Sequence, residues 1–142
     1  MKKALSLILA FVLCLSLCAC GKHTQKSDLE EAVVGKWTGT YIYLGATSHY
    51  NGAVLNAGDK VEFSLLVFKG GAVEIIHQNT QNLYRLTSTG TWEITDGTFV
   101  ITCDTSNGDV VISWEINSDA TPKTMSKNGS NSAFPQTITK ED

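Results

Sequence analysis

The sequence lacks the marks of several common functional classes. Its longest apolar stretch, Ala4 to Ala19, is shorter than the about 20 residues that a membrane-spanning helix needs, and no later stretch approaches that length. It contains one arginine, Arg85, and its formal net charge is −3, which argues against a nucleic-acid-binding face. A nucleophile elbow, a glycine-rich phosphate loop and an HExxH motif are also missing. We therefore expect neither an enzyme nor a nucleic-acid-binding protein, and we assign no catalytic residue.

The amino terminus has the layout of a secretory signal. Two lysines, Lys2 and Lys3, precede the apolar stretch, which ends where the chain becomes polar at Gly21 and Lys22. A basic start followed by an apolar segment of this length is typical of exported proteins. We therefore predict that residues 1–19 form a signal peptide that is removed.

The end of this segment reads Leu17-Cys18-Ala19-Cys20 and resembles the lipobox of bacterial lipoproteins. In that family a branched aliphatic residue stands three positions before a cysteine, and small residues fill the two positions between them. The resemblance implies that signal peptidase II cuts between Ala19 and Cys20 and that the Cys20 sulfur carries a diacylglycerol. This lipid, the one prosthetic group expected, would anchor the mature chain to a membrane of the bacterial envelope, outside the cytoplasm.

The cysteines near this site could also belong to a metal site or a disulfide. A metal ion would need further thiolate or imidazole ligands at suitable spacing, and His23 is the only candidate nearby. If instead Cys20 is acylated and Cys14 and Cys18 leave with the signal peptide, Cys103 is the one free thiol of the mature chain. We favour this interpretation, assign no metal ligand, and expect Cys103 to be buried and unreactive.

Residues 20–33 are predicted to connect the lipid to one folded domain that spans residues 34–142. The part that follows the lipidated cysteine is polar and is typical of a tether. Ser27 and Glu30 have the spacing of a capping box, which predicts a short helical turn from about residue 28 to residue 33.

The mature chain is acidic. Without Lys2 and Lys3 it has nine Lys and Arg against fourteen Asp and Glu, a net charge of −5. A polybasic membrane patch is therefore not expected, and the lipid would have to hold the chain at the membrane.

From Val34 onward the apolar residues recur with a period of two, which is typical of half-buried β-strands. Tight turns are predicted at Gly70-Gly71, Asp96-Gly97 and Asn107-Gly108. A break at Ser88-Thr89-Gly90 is predicted to separate two further strands. The predicted strands are 35–43, 61–68, 72–78, 83–87, 91–95, 99–103, 110–116, 123–127 and 136–140. Eight or nine antiparallel strands predict a single all-β domain, and closing them into a barrel removes the exposed edges.

Two connections attract a functional interpretation. The longest irregular one, Gly45 to Asp59, is a candidate lid or partner-contact loop and contains His49. The acidic segment Asp104 to Asp109 suggests calcium, but its glycine stands fifth where a calcium-binding loop needs it sixth. We therefore interpret the second segment as a hairpin.

The first strand carries Gly35-Lys36-Trp37, a G-x-W that resembles the signature of the lipocalins, members of the calycin group. Small bacterial lipocalin-like lipoproteins also resemble the segment GTWEITDGTFVI and the closing segments TMSK and TITK. The resemblance implies an eight-stranded up-and-down barrel in which Trp37 closes one end. In lipocalins a late arginine often packs over that tryptophan, whereas the late cations of this chain are lysines.

The barrel prediction leaves two functions open, because an eight-stranded barrel can either hold one small ligand or be filled by its own side chains. If it is hollow, we expect a small apolar or amphipathic ligand held near Trp37, Tyr41, Tyr43, His77 and Trp114. If it is solid, we expect an interaction or inhibitor module whose loops contact another envelope protein. The predicted inward residues are Trp37, Tyr41, Tyr43, Phe63, Leu65, Val67, Val73, Ile75, Trp92, Ile94, Phe99, Ile101, Cys103, Val110, Ile112, Trp114 and Ile116.

Overall fold

The computed structural model describes residues 28–105, 108–116, 123–127 and 133–142. The signal peptide, the lipobox with Cys20, and the tether lie outside these described residues, so their predictions stay predictions. A helix, α1, spans residues 28–33. The strands are β1 Gly35–Ile42, β2 Ser48–Tyr50, β3 Ala53–Leu55, β4 Lys60–Val67, β5 Ala72–Asn79, β6 Tyr84–Thr95, β7 Thr98–Thr105, β8 Gly108–Ile116, β9 Thr124–Ser126 and β10 Thr137–Lys140.

Eight of the strands close into an antiparallel barrel in the order β1-β10-β9-β8-β7-β6-β5-β4, and β2 and β3 form a separate hairpin. Neighbouring strands of the barrel follow one another along the chain, with the β2–β3 hairpin inserted between β1 and β4. The exception is the closure, where β10 pairs with β1. The predicted all-β barrel with a short amino-terminal helix is confirmed. The glycine turns at Gly70-Gly71 and at Asp96-Gly97 are also confirmed, with positive φ at all four residues.

The alternation along the strands builds the core. On β4, for example, Val61, Phe63, Leu65 and Val67 are buried and the residues between them are more exposed. The main cluster contains two buried tryptophans, and Cys103 lies in it as predicted, 4% exposed. The buried or partly buried residues of this main cluster and of a smaller second one include all seventeen predicted inward residues.

One end of the barrel, here called the helix end, is closed by α1 and Trp37. The indole Nε1 of Trp37 donates to the main-chain oxygen of Val33, 2.8 Å away. The Lys140 Nζ lies 5.8 Å from the centroid of the Trp37 ring and donates to the oxygen of Ala32. Lysine thus occupies the place over the tryptophan that the resemblance gives to arginine. Because the last carbonyls of a helix carry partial negative charge and lack intrahelical partners, these two donors cap α1.

The opposite end, here called the hairpin end, is where β2 and β3 lie. The prediction of an irregular segment from Gly45 to Asp59 is corrected there, because this segment contains the hairpin. Asn51 and Gly52 both have positive φ and form its turn. The hairpin is attached to the start of β6: Tyr50 lies 6.3 Å from Tyr84, ring centre to ring centre.

The predicted break at Ser88-Thr89-Gly90 is wrong, because β6 runs through it without interruption. Gly90 pairs with Val73 on one side and with Cys103 on the other. A Cβ added there would collide with the main-chain oxygen of Thr102. Glycine at this position therefore permits a close approach of two strands. Such an approach, instead of a turn, is a second common reason for glycine inside a strand.

We expect Gly90→Ala to destabilise the barrel by about 1–3 kcal/mol, the usual cost of overpacking, because the atoms it meets belong to the main chain. Urea unfolding followed by tryptophan fluorescence measures this. Gly52→Ala is the matched control, because its added Cβ would lie in open space. It should lower the free energy of unfolding only by the cost of a positive φ, about 1 kcal/mol. A Gly90→Ala variant as stable as the wild type would contradict the close approach.

Candidate ligand-binding site

Two of the five predicted ligand residues, Trp37 and Trp114, lie in the packed core. Both are 0% exposed. The Trp114 Nε1 donates to the oxygen of Pro135 at 3.2 Å, so both indole nitrogens are paired with main-chain carbonyls. These tryptophans fill the barrel interior, and neither offers a surface to a ligand in this conformation.

Tyr41 and His77 are brought together from β1 and β5. The Tyr41 hydroxyl lies 2.9 Å from the His77 Nδ1, and the two rings meet edge to face with centroids 5.9 Å apart. The register explains this, because both side chains point inward from strands that flank β4, where Phe63 lies directly opposite His77. His77 is buried and Tyr41 is partly buried, so they form a polar pair beside the apolar core.

Burial keeps this pair neutral. Desolvation lowers the pKa of His77 from its ordinary 6.5 to about 4. Desolvation also raises the pKa of the Tyr41 hydroxyl, and the neighbouring Tyr84 and Tyr43 add to this rise. At neutral pH the pair therefore presents a neutral hydroxyl and a neutral imidazole, which suits hydrogen bonding to an uncharged polar group.

Phe134 belongs to the site although it lies between two predicted strands, 123–127 and 136–140. Its ring centre lies 5.2 Å from that of His77, 5.9 Å from that of Phe63 and 6.5 Å from that of Trp114. A lone aromatic residue directly before Pro135, in a segment otherwise rich in asparagine and serine, is the one signal that could have found it.

Tyr43 does not join the Tyr41–His77 pair. Its ring packs against the second core cluster at the hairpin end, which is formed by Leu55, Val61 and Tyr84. Its hydroxyl donates to the oxygen of Ala46 at 2.7 Å. Tyr43 therefore supports the loop that leads into β2.

A crevice of about 900 Å³ lies between β1 and the segment that leads into β10. The two strands pair at Trp37 and Thr38 and then separate. Gly39 stands at the point of separation, where a Cβ would lie 2.8 Å from the oxygen of Thr137 and 3.0 Å from the Pro135 Cβ. The crevice extends to both sides of this pinch, from Lys36 and Glu141 to Tyr41 and Ile42.

The crevice has an aromatic side and a polar side. Its aromatic side is formed by Tyr41, Phe63 and Phe134, which also surround His77. The outward side chains along its walls are mostly small and polar: Thr38, Thr40, Ser64, Gln136, Thr137 and Thr139. This combination suits a molecule with one apolar and one polar part.

A second crevice, of about 490 Å³, lies at the helix end. Its acidic members include Asp28, Glu30, Glu31 and Glu93. Within the described ranges, no three histidine, cysteine or acidic side chains are grouped so that they could hold a metal ion. The described part of the chain also contains no helix long and apolar enough to cross a bilayer.

No protein-family model matches the chain. No curated protein matches it either. A lipocalin-like protein from Bacteroides uniformis, known from a crystal structure, aligns with a TM-score of 0.37 and 13% identity over 77% of this chain and 96% of that one. The fold assignment rests on the strand pairing described above.

We expect the free energy of unfolding to fall as the pH drops from 6.5 to 4, because His77 takes up a proton in the unfolded chain and not in the folded one. The full pKa difference corresponds to about 3 kcal/mol. His77→Gln removes the titrating group, so its stability should fall less over this pH range than that of the wild type.

Urea unfolding at a series of pH values measures the difference. His49→Gln, at an exposed position on β2, is the matched control and should follow the wild type. Parallel pH profiles for the wild type and His77→Gln would contradict a buried neutral imidazole.

Proposed function

We propose that this chain is a lipid-anchored lipoprotein of a bacterial envelope, exposed outside the cytoplasm, whose barrel binds a small amphipathic ligand. Binding rather than catalysis is proposed, and the ligand site is the crevice between β1 and β10. The observation that carries the proposal is that this crevice extends from the outer surface to the aromatic cluster around His77.

The proposed site lies in the crevice and not inside the barrel, where a hollow barrel would hold its ligand. The interior near Trp37 and Trp114 is filled, so a ligand there would have to displace core side chains. The crevice is already open, and its volume lies within the usual range for small-molecule sites, about 300–1,000 Å³. The neutral Tyr41–His77 pair offers a hydrogen bond at its apolar side.

The anchor and the site fit this proposal geometrically. The chain enters the barrel through α1 at the helix end, and residues 21–27 separate α1 from Cys20. Seven extended residues span at most about 25 Å, so the helix end would stay close to the membrane. The crevice runs along β1 from Lys36 near the helix end to Ile42 near the hairpin end.

We expect Cys20→Ser to abolish metabolic labelling with a radioactive fatty acid, because serine has no thiol to carry the diacylglycerol. Gel electrophoresis with autoradiography measures the label, and retention of the precursor length reports the loss of cleavage. Cys18→Ala is the control, since alanine suits that position of a lipobox, and it should keep the label. A labelled Cys20→Ser variant would place the lipid elsewhere.

We expect Thr40→Trp to weaken binding of the amphipathic anionic dye 1-anilinonaphthalene-8-sulfonate at least tenfold, because the exposed Thr40 side chain borders the crevice and an indole there would obstruct it. A fluorescence titration measures the affinity. Thr87→Trp, at an exposed position on the opposite wall of the barrel, is the matched control.

Equal dye affinities for the wild type, Thr40→Trp and Thr87→Trp would contradict the crevice as the ligand site. Support would then move to the alternative function, contact with another envelope protein through the loops. The exposed apolar side chains near the hairpin end, Leu44 at 66% and Leu83 at 84% exposure, are the observation that favours this alternative.

A further inference from the structure

Strand β1 is paired fully on one side and only partly on the other. Its register with β4 is continuous from Gly35 to Ile42, so the backbone remains extended to the end of the strand. On the other side, its described partners in β10 reach only Trp37 and Thr38. Among the described residues, the second half of β1 therefore has no strand partner on this side and borders the crevice as a free strand edge.

The hydrogen-bond pattern shows which residues have their main-chain groups on this edge. The amide of Glu141 donates to the oxygen of Lys36, so the main-chain amides and carbonyls of the even-numbered residues of β1 point toward β10. The amide of Tyr43 donates to the oxygen of Asp59, so the main-chain groups of the odd-numbered residues point toward β4. The amides and carbonyls of Thr40 and Ile42 consequently point toward the crevice, where no described residue pairs with them in a strand.

We propose that this edge binds a short peptide in extended conformation, which adds to β1 as a further antiparallel strand. The inference rests on the proposed function, since it names the chemical class of the amphipathic ligand that the crevice takes. A free strand edge matches the donors and acceptors of another peptide main chain, and edges of this kind are used for peptide recognition. The side chains that line the crevice then select the sequence.

The crevice walls favour an alternating peptide. Side chains of an added strand that point inward meet Tyr41 and Phe134, which favours valine or a residue of similar shape. Those that point outward lie on the same face as Thr40 and, one strand further, Glu62.

The charges around the crevice favour a basic outward side chain. Lys36 and Glu141 form an ion pair of 2.8 Å, which leaves the carboxylate of Glu62 as the unbalanced charge among the described residues that line the crevice. The chain as a whole is also acidic, with a net charge of −3. A lysine whose ammonium group reaches Glu62 complements this charge.

The test uses the acetylated and amidated peptide Lys-Val-Lys-Val-Lys with a fluorescein label, titrated with the chain and followed by fluorescence anisotropy. Two derivatives carry N-methyl groups on alternate amides, one on the lysine amides and the other on the valine amides. In antiparallel pairing the residue opposite Thr40 lies on the same face as Thr40, so the lysine amides meet β1. N-methylation there should weaken binding at least tenfold, while N-methylation of the valine amides leaves it unchanged.

Selective loss from the lysine-amide derivative supports strand addition, because only one edge of the peptide can pair with β1. Selective loss from the valine-amide derivative would overturn the proposed placement of valine inward and lysine outward. Equal affinities of the two derivatives would overturn the proposal. Glu62→Lys should weaken binding at least fivefold, and Glu93→Lys, an exposed carboxylate on β6 at the helix end, is the matched control. Equal affinities for these two variants would overturn the proposed selection of basic peptides.

The dye titration of Thr40→Trp separates this inference from the proposed function. If the dye binds in the crevice and the peptide does not bind, the ligand is a small molecule without a peptide main chain and the inference fails alone. If neither binds, both fail. A dimer of the chain in sedimentation velocity that the peptide cannot dissociate would assign the edge to a second copy and overturn the inference.

Discussion

The architecture depends on the closure of the helix end around Trp37. A buried indole must have a partner for its N–H, and the main-chain oxygen of Val33 supplies it. The same contact holds the last turn of α1 against the barrel. Lys140 lies over the Trp37 ring and donates to the main-chain oxygen of Ala32. Three separate segments are therefore held by one side chain, and this end of the barrel is closed and filled.

Closing this end leaves the irregular features to the other half of the barrel. There β10 departs from β1 beyond Thr38, and residues 133–136 turn inward so that Phe134 enters the aromatic cluster. The Tyr41–His77 pair and the part of β1 without a described strand partner lie in this half, and the crevice reaches into it. A regular scaffold beside a less regular region that carries much of the candidate site is an arrangement common in binding proteins.

The sequence pattern predicts the strands well where each depends on local alternation and on a turn of its own, as at Asp96-Gly97. It fails where the role of a residue depends on contacts with residues that are distant in the sequence. Gly90 has the local signature of a turn, yet its role is the approach of Thr102 across the sheet. His77 meets Tyr41 from 36 positions away, and no periodicity could have shown that pairing. The β2–β3 hairpin did have a local signal, Asn51-Gly52, but strands of three residues are too short to show a period.

The closure by β10 also has a kinetic meaning. Trp37 and Lys140 are separated by on the order of 100 residues, so the entropy lost in bringing them together is large compared with that of any hairpin in the barrel. Strands joined by short turns can pair early, whereas this contact must await the rest of the sheet. In the described residues, β10 pairs with β1 only at Thr139 and Lys140. The seam beside the crevice is thus the place where a folding barrel would close last.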